Sequence, residues 1–339
     1  MTNCEETPLD SSNEKSFEEI KDKNGNTQII LRNRRGDSAR ISLYGGQVIS
    51  WKHANGDELL FMSSKATFKP PNAIRGGIPI CFPQFGSRGL LEQHGFARNR
   101  MWEIENKKTE KEEKKEMETE KEKNENEIEK DKEKEKEKEK EIEKEKSSSS
   151  PRANGSKATV NLLLKPSPED LKVWNNRVTL SEEGNLILRP RVKNSNGKPF
   201  NFNIAFRTYF AISDISEVRV EGLETLDYLD GLQDKQRFTE QGDALTFESE
   251  VDRIYLSSSD VVALFDHGSK RTFQIRKQGL PDVAVWNPWE KKAKALTDLG
   301  DDEYKRMLCV DGAAIEKPIT LKPAEEWVGQ LELSVLPSC

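Results

Sequence analysis

The sequence predicts an all-β fold, a large antiparallel sandwich carrying one charged insert. Short apolar segments rich in Val, Ile, Leu and Phe recur along a chain of 339 residues. They often alternate with polar residues and are separated by Gly, Asn, Asp or Pro, as strands and their turns are. Outside the insert no stretch carries a long apolar repeat of 3.6 residues, so no helical layer is expected. So many strands in one chain fit a sandwich better than a small barrel.

Met1–Lys23 reads as a flexible N-terminus. Its acidic residues Glu5, Glu6, Asp10, Glu14, Glu18, Glu19 and Asp22 suit neither a secretory signal nor an acid-poor transit peptide. A single sandwich domain is expected over 24–337, interrupted by a low-complexity insert at 107–150. Before the insert the candidate strands are Gln28–Arg32, Arg40–Trp51 and Glu58–Met62. After it come Thr159–Lys165, Asn185–Val192, Phe200–Ile212, Val218–Leu223 and Ala244–Glu248. The last are Val261–Asp266, Thr272–Arg276, Val283–Trp286, Met307–Val310 and Glu326–Leu336. Val218, Val220 and Leu223 illustrate the pattern, split by Arg219 and a Glu221–Gly222 turn.

The insert explains an odd composition. Charged residues make up 34% of the chain and hydrophobic ones also 34%, a low apolar share for a globular protein. Lys107–Lys146 alone holds 15 Lys, 17 Glu and one Asp in 40 positions. From Asp131 to Lys146 Glu and Lys nearly alternate, which on a helix sets like charges at i,i+4 against opposite charges at i,i+3. The two effects nearly cancel, so the expectation is a disordered or partly helical, solvated arm. Met117, Ile128 and Ile142 are isolated and cannot build a core. Ser147–Ser150 and Pro151 end the run. Any protein partner of this arm is unknown from sequence.

Several classes fall away. No run of eighteen apolar residues exists, so no membrane span is expected. The net charge of −6 and the matching of Lys by Glu leave no basic footprint for nucleic acid. Cys4, Cys81, Cys309 and Cys339 form no close pair, so neither a zinc site nor a disulfide framework is suggested. A reducing cytoplasm is the expected setting, and a monomer the expected state.

Four segments carry candidate chemistry. Ile74–Gly86 pairs Gly76 and Gly77 beside Arg75. This suits close backbone approach and a fixed fork for phosphate or carboxylate, or else a turn with a solvated Arg. Gln93–Asn99 gathers Gln93, His94 and Arg98 around Gly95. His94 reads equally as a general acid or as a hydrogen-bonded structural histidine. In Phe200–Ile212 the charge of Arg207 interrupts an apolar strand, so it faces a cleft or meets a carboxylate. In Met307–Glu316 Asp311 closes an apolar strand before Gly312, as a site carboxylate or a turn residue.

Arg75–Gly86, Gln93–Asn99, Arg207–Ile215, Pro281–Trp289 and Met307–Trp327 together resemble the hexose-6-phosphate mutarotases. Those are the glucose-6-phosphate 1-epimerases, a branch of the aldose 1-epimerase family, and the plant members look closest. The resemblance covers about 20–337 apart from the insert. It implies a galactose-mutarotase-like β-supersandwich with no metal and no organic cofactor. It also implies an isomerase that interconverts α and β anomers by ring opening, with a hexose 6-phosphate, glucose 6-phosphate foremost, as ligand. By motif matching, Arg75, Gln93, His94 and Arg98 fall on substrate-binding positions, as does Asp252 in Glu250–Tyr255. Arg207 stands where the family carries its acid, a His, and Asp311 where it carries its base, a Glu. Arginine stays protonated and cannot shuttle a proton, and Asp draws the carboxylate back by about one bond. Trp174–Leu180 reads as shorter than in relatives, by enough for a strand. The resemblance therefore leaves two further readings open, a non-catalytic sugar-phosphate binder and an interaction protein acting through the charged arm.

Overall fold

Strands with one buried face dominate the computed structural model, which describes residues 17–87, 89–105, 157–164 and 172–337. The first half supplies β1 (Glu18–Lys21), β2 (Thr27–Arg32), β3 (Ser38–Ser42), β4 (Gln47–Lys52), β5 (Ile80–Cys81) and β6 (Glu103–Ile104). Then come β7 (Ala158–Leu164), β8 (Lys172–Leu180), β9 (Leu186–Asn194), β10 (Phe200–Phe206), β11 (Tyr209–Ala211) and β12 (Val218–Glu221). These are followed by β13 (Asp227–Asp230), β14 (Gln236–Thr239), β15 (Val251–Tyr255), β16 (Val261–Asp266) and β17 (Arg271–Gln278). The last are β18 (Asp282–Asn287), β19 (Met307–Leu321), β20 (Glu326–Val328) and β21 (Gln330–Pro337). A short helix, α1 (Trp289–Ala295), joins β18 to the approach of β19.

By contact the chain divides into two units, one of 1–103 with 156–339 and one of 104–155. Of the second only Ile104 and Glu105 are described. The expected arm at 107–150 therefore lies outside the described residues, as do Met1–Ser16, Cys4 and Cys339. Within the first unit β1-β2-β3-β4 form an antiparallel sheet in sequence order. A second sheet runs β14-β13-β15-β18-β19-β10-β5, with β11 also on β19. A third includes the run β12-β16-β17-β21-β9-β8-β7, with β20 on β9. Strands from before and after the insert share a sheet, since β5 pairs with β10.

Period-two patterning explains most of these elements. Buried residues alternate along β7 and β9, so one face of each meets the core. All six residues of β18 are buried, because β15 and β19 flank it and both its faces are covered. Aromatic rings join the second and third sheets. Phe210 lies 4.8 Å from Phe273, and Phe202 lies 5.6 Å from Trp327. Such pairs bury large apolar area at defined geometry.

The structure revises several expected strands. Arg40–Trp51 is two strands, broken at Leu43–Gly46, where Gly45 and Gly46 take φ of 80° and 57°. Phe200–Ile212 breaks at Arg207–Thr208, and Glu326–Leu336 breaks at Gly329. Glu58–Met62 and Ala244–Glu248 make only isolated bridges. Strand β19 runs to Leu321, well past Val310. Strands β1, β13, β14 and β15 add edge and hairpin pairings that weak alternation did not mark. Strand β1 also lies ahead of residue 24, where the sandwich was expected to begin. Trp174–Leu180 carries a strand of its own, since β8 pairs with both β7 and β9. Among the described residues no helix is long and apolar enough to cross a membrane.

Strand β8 holds a local conflict. Trp174, Asn176, Val178 and Leu180 all face inward and are buried, yet neither Oδ1 nor Nδ2 of Asn176 has a hydrogen-bond partner. An amide buried without partners costs about 1–3 kcal/mol. Asn176→Leu keeps the volume and removes the orphaned atoms. It is expected to stabilise the chain by about 1–2 kcal/mol, read as a higher urea midpoint at unchanged slope. A lower midpoint would refute this account of β8.

Candidate active site

Two interruptions of regular strands build the site. The first is Arg207–Thr208, between β10 and β11. Phe206 still pairs with Gly312 and Tyr209 with Cys309, but between them the regular register lapses, and only the Thr208 carbonyl stays on β19, accepting from Val310 N at 3.2 Å. Thr208 N donates instead to Asp311 Oδ1 at 2.9 Å, which meets the need of a buried amide for an acceptor. Arg207 N donates to Pro79 O and Tyr209 N to Gly77 O, so the Gly76–Pro79 segment runs alongside. On its other side Gly76 and Gly77 permit a close approach to Phe61 and Val48. Their φ values are 116° and 61°, and a Cβ on them would stand 2.5 Å from Phe61 O and 2.2 Å from Val48 O. Arg75 is thereby set beside Tyr209. Its Nη1 donates to Tyr209 Oη at 3.0 Å, while Nε and Nη2 hold Asp298 at 3.1 and 3.0 Å.

The second interruption is the loop after Cys81. His94 adopts a left-handed φ of 65°, and its backbone N donates to Gly86 O at 2.9 Å. Its Nδ1 accepts from Gly86 N at 3.1 Å. A neutral imidazole that accepts at Nδ1 carries its proton on Nε2, and that atom lies 3.4 Å from Arg207 Nη1. Burial, then Arg207, Arg98 and Arg75, push His94 down to about 2. The ring therefore stays neutral at physiological pH. It can donate a hydrogen bond from Nε2, while burial first and the three arginines second disfavour the imidazolium form near neutral pH. Arg98 Nη2 donates to Gln93 O at 2.6 Å, and its Nε has no acceptor.

Arg207 and Asp311 meet behind this loop. Nε and Oδ2 are 3.6 Å apart, too far for a hydrogen bond, and neither atom has another partner. Burial pushes the Asp311 carboxyl up to about 7, against the opposing pull of Arg207 and the Thr208 amide. Burial also works against the Arg207 charge, but the neighbouring Asp311 keeps the guanidinium protonated. That guanidinium lies over the Trp286 ring, 4.6 Å from its centroid, and Arg75 approaches the same ring at 5.9 Å. Stacking on an indole fixes the plane of a cation.

Arg75, Gln93, His94, Arg98, Arg207 and Asp252 all line one cavity of about 540 Å³. Asp311 does not line it; it is 0% exposed and sits on the far side of Arg207. Lys235 and Lys292 line the cavity too, with Lys292 paired to Glu250 at 2.7 Å. The fork expected of Arg75 is half engaged, because Asp298 already takes its Nε–Nη2 edge. Sequence reasoning missed Tyr209, Trp286 and Asp298. Tyr209 and Trp286 read as apolar strand residues, and Asp298 follows α1 in a loop with no periodic signal. Among the described residues no group of three or more His, Cys, Asp or Glu is placed to hold a metal. Three guanidinium groups, a neutral imidazole N–H and few free carboxylates make a cavity suited to an oxyanion ligand.

Comparison with known proteins agrees with this architecture. The aldose 1-epimerase family matches residues 27–128 and 147–334. A protein of Cenchrus ciliaris named "Putative glucose-6-phosphate 1-epimerase" is 52% identical over 327 residues, 94% of this chain and 88% of its own length. An Escherichia coli protein of the same name is 28% identical over 277 residues, 81% of this chain and 79% of its own. Among solved structures, a Salmonella typhimurium "putative mutarotase" superposes with a TM-score of 0.72 at 20% identity, covering 95% of this chain and 97% of that one.

Proposed function

The chain belongs to the aldose 1-epimerase family, and from that membership we propose that its cavity holds a hexose 6-phosphate. Glucose 6-phosphate is the first ligand to test. We further propose that anomer exchange on this chain runs close to the spontaneous rate. The family's enzymes are isomerases. Ring opening of a hexose needs a base to take the anomeric proton and an acid to protonate the ring oxygen.

One observation carries the ligand class. Arg75, Arg98 and Arg207 converge on a single cavity, and the buried Nε atom of Arg98 lacks an acceptor. Guanidinium groups in a partly buried cleft suit phosphate through charge and paired N–H donors. The weak turnover follows from the neighbours. Arg207 does not release a proton, His94 stays neutral, and Asp311 lies off the cavity wall. Ligand capture survives these features, whereas paired proton transfer does not.

Calorimetry on the Arg75→Ala and Arg98→Ala variants tests the reading. Glucose 6-phosphate affinity is expected to fall about 10- to 100-fold, as for loss of a charge-assisted contact, while unphosphorylated glucose changes little. Arg98→Ala is the cleaner arm, since removing Arg75 also strands Asp298 and Tyr209. Equal losses for both sugars would remove these residues from the phosphate seat.

A further inference from the structure

A second group of donors in the cavity lacks an acceptor. His94 Nδ1 is occupied by the Gly86 amide, so its Nε2 bears the hydrogen. Arg207 Nη1, a donor with no lone pair to offer, lies only 3.4 Å away. Two N–H groups that face each other at this distance repel unless an acceptor sits in front of both. The residues cannot turn aside. His94 is clasped to Gly86 through both its ring and its backbone, and the Arg207 guanidinium lies over Trp286, 4.6 Å from the ring centroid. The Nε edge of Arg207 faces Asp311, so the edge that meets His94 is the one presented to a ligand. These donors are also distinct from the proposed phosphate contacts. Arg75 is tied to Asp298 and Tyr209, and Arg98 to Gln93 O.

The charge balance favours an anion over a hydroxyl at this point. Asp311 is the carboxylate nearest Arg207, but its 3.6 Å approach makes no hydrogen bond, so it offsets the Arg207 charge through space only and leaves that N–H edge without an acceptor. A neutral sugar oxygen would satisfy the N–H groups and leave the charge. A carboxylate would satisfy both, with two oxygens for the two donors.

We propose that the cavity prefers a hexonic acid 6-phosphate, carboxylate at carbon 1 against Arg207 and His94, over the uncharged head of an aldose 6-phosphate. This rests on the phosphate seat proposed above for Arg75 and Arg98. Asp252 and Asp298 also line the cavity; Asp298 is held by Arg75, whereas Asp252 acts electrostatically as far as Asp311 and is the one lining carboxylate that works against an anion there.

Calorimetry on the unmodified chain decides the matter, with 6-phosphogluconate, glucose 6-phosphate and gluconate as probes. The expected order places 6-phosphogluconate at least about tenfold tighter than glucose 6-phosphate, as one added charge-assisted contact gives. Gluconate should be the weakest of the three. Arg207→Gln should erase most of the ratio between the two phosphorylated ligands, and Arg207→Lys, which keeps charge but loses the flat fork, should retain part of it. Glucose 6-phosphate binding as tightly as 6-phosphogluconate, or more tightly, overturns this inference and leaves the proposed function standing. Failure of both phosphorylated ligands to bind overturns the proposed function as well. The comparison on the unmodified chain needs no variant to fold.

Discussion

Anomer exchange of glucose 6-phosphate is expected to rise at least about 100-fold when Arg207→His and Asp311→Glu are combined, with neither single change reaching that rate. General acid and general base catalysis each contribute about 10²- to 10⁴-fold, and groups that act as a unit give little alone. The geometry explains why both changes are needed. The Asp311 carboxylate is fully buried, on the far side of Arg207 from the cavity, so a longer acid alone still meets the guanidinium. A His in place of Arg207 alone leaves the carboxylate about one bond short, and a misplacement of about 1 Å can cost ~100-fold. Exchanging a long cation and a short acid for a shorter donor and a longer acid roughly conserves volume at the contact. Magnetisation-transfer NMR reads the exchange directly. Fast exchange in the unmodified chain, unaffected by Asp311→Asn, would refute these roles.

The second large effect is a loss of stability as pH rises. Asp311 has its folded-state pKa raised to about 7 by burial, against about 3.9 for an unfolded Asp. A raised acid favours folding while it is protonated in both states. That contribution is complete below about pH 4 and is lost as pH climbs through about 7. The difference corresponds to about 4 kcal/mol across the window. Other carboxylates act in the opposite sense, so the measurement is a difference between chains. Urea midpoints of the native chain and of Asp311→Asn, at several pH values between 4 and 8, should diverge with rising pH in favour of the variant. Parallel curves would show that the carboxyl titrates normally, and the account of its burial would fall.

Most of the strand inventory was legible because one-faced burial writes itself as alternation. Strands β7, β9, β16 and β18 lie almost where the pattern puts them. The failures have local causes. Gly45 and Gly46 break one expected strand, and Arg207–Thr208 break another through a side-chain substitute for a ladder bond. No residue-by-residue pattern records that substitute. Strands β13 to β15 are short and half exposed, so their alternation is weak. In the site, Arg75, Gln93, His94, Arg98 and Arg207 stood out as polar residues in apolar or glycine-rich settings, while Asp252 was marked by the family resemblance alone. Tyr209, Trp286 and Asp298 did not, because a buried ring in a strand looks like core until a guanidinium is found on it. The withdrawal of Asp311 was likewise invisible, since the residue type alone does not say on which side of Arg207 its carboxyl lies.

The bond from the Thr208 amide to Asp311 has a consequence for how this lineage can diverge. The acceptor at position 311 closes a hole in the second sheet, and that demand persists whether or not any proton is moved. Drift that abandons turnover is therefore not free to explore all side chains there. Asp, Asn and Glu keep an oxygen within reach of the amide, while Ala, Val or Lys would orphan a buried N–H and cost about 1–3 kcal/mol. Arg207 carries no such duty for the backbone and is the freer of the two. In descendants of this chain the residue at 207 should wander first, with 311 held close to its carboxamide and carboxylate options by the architecture itself.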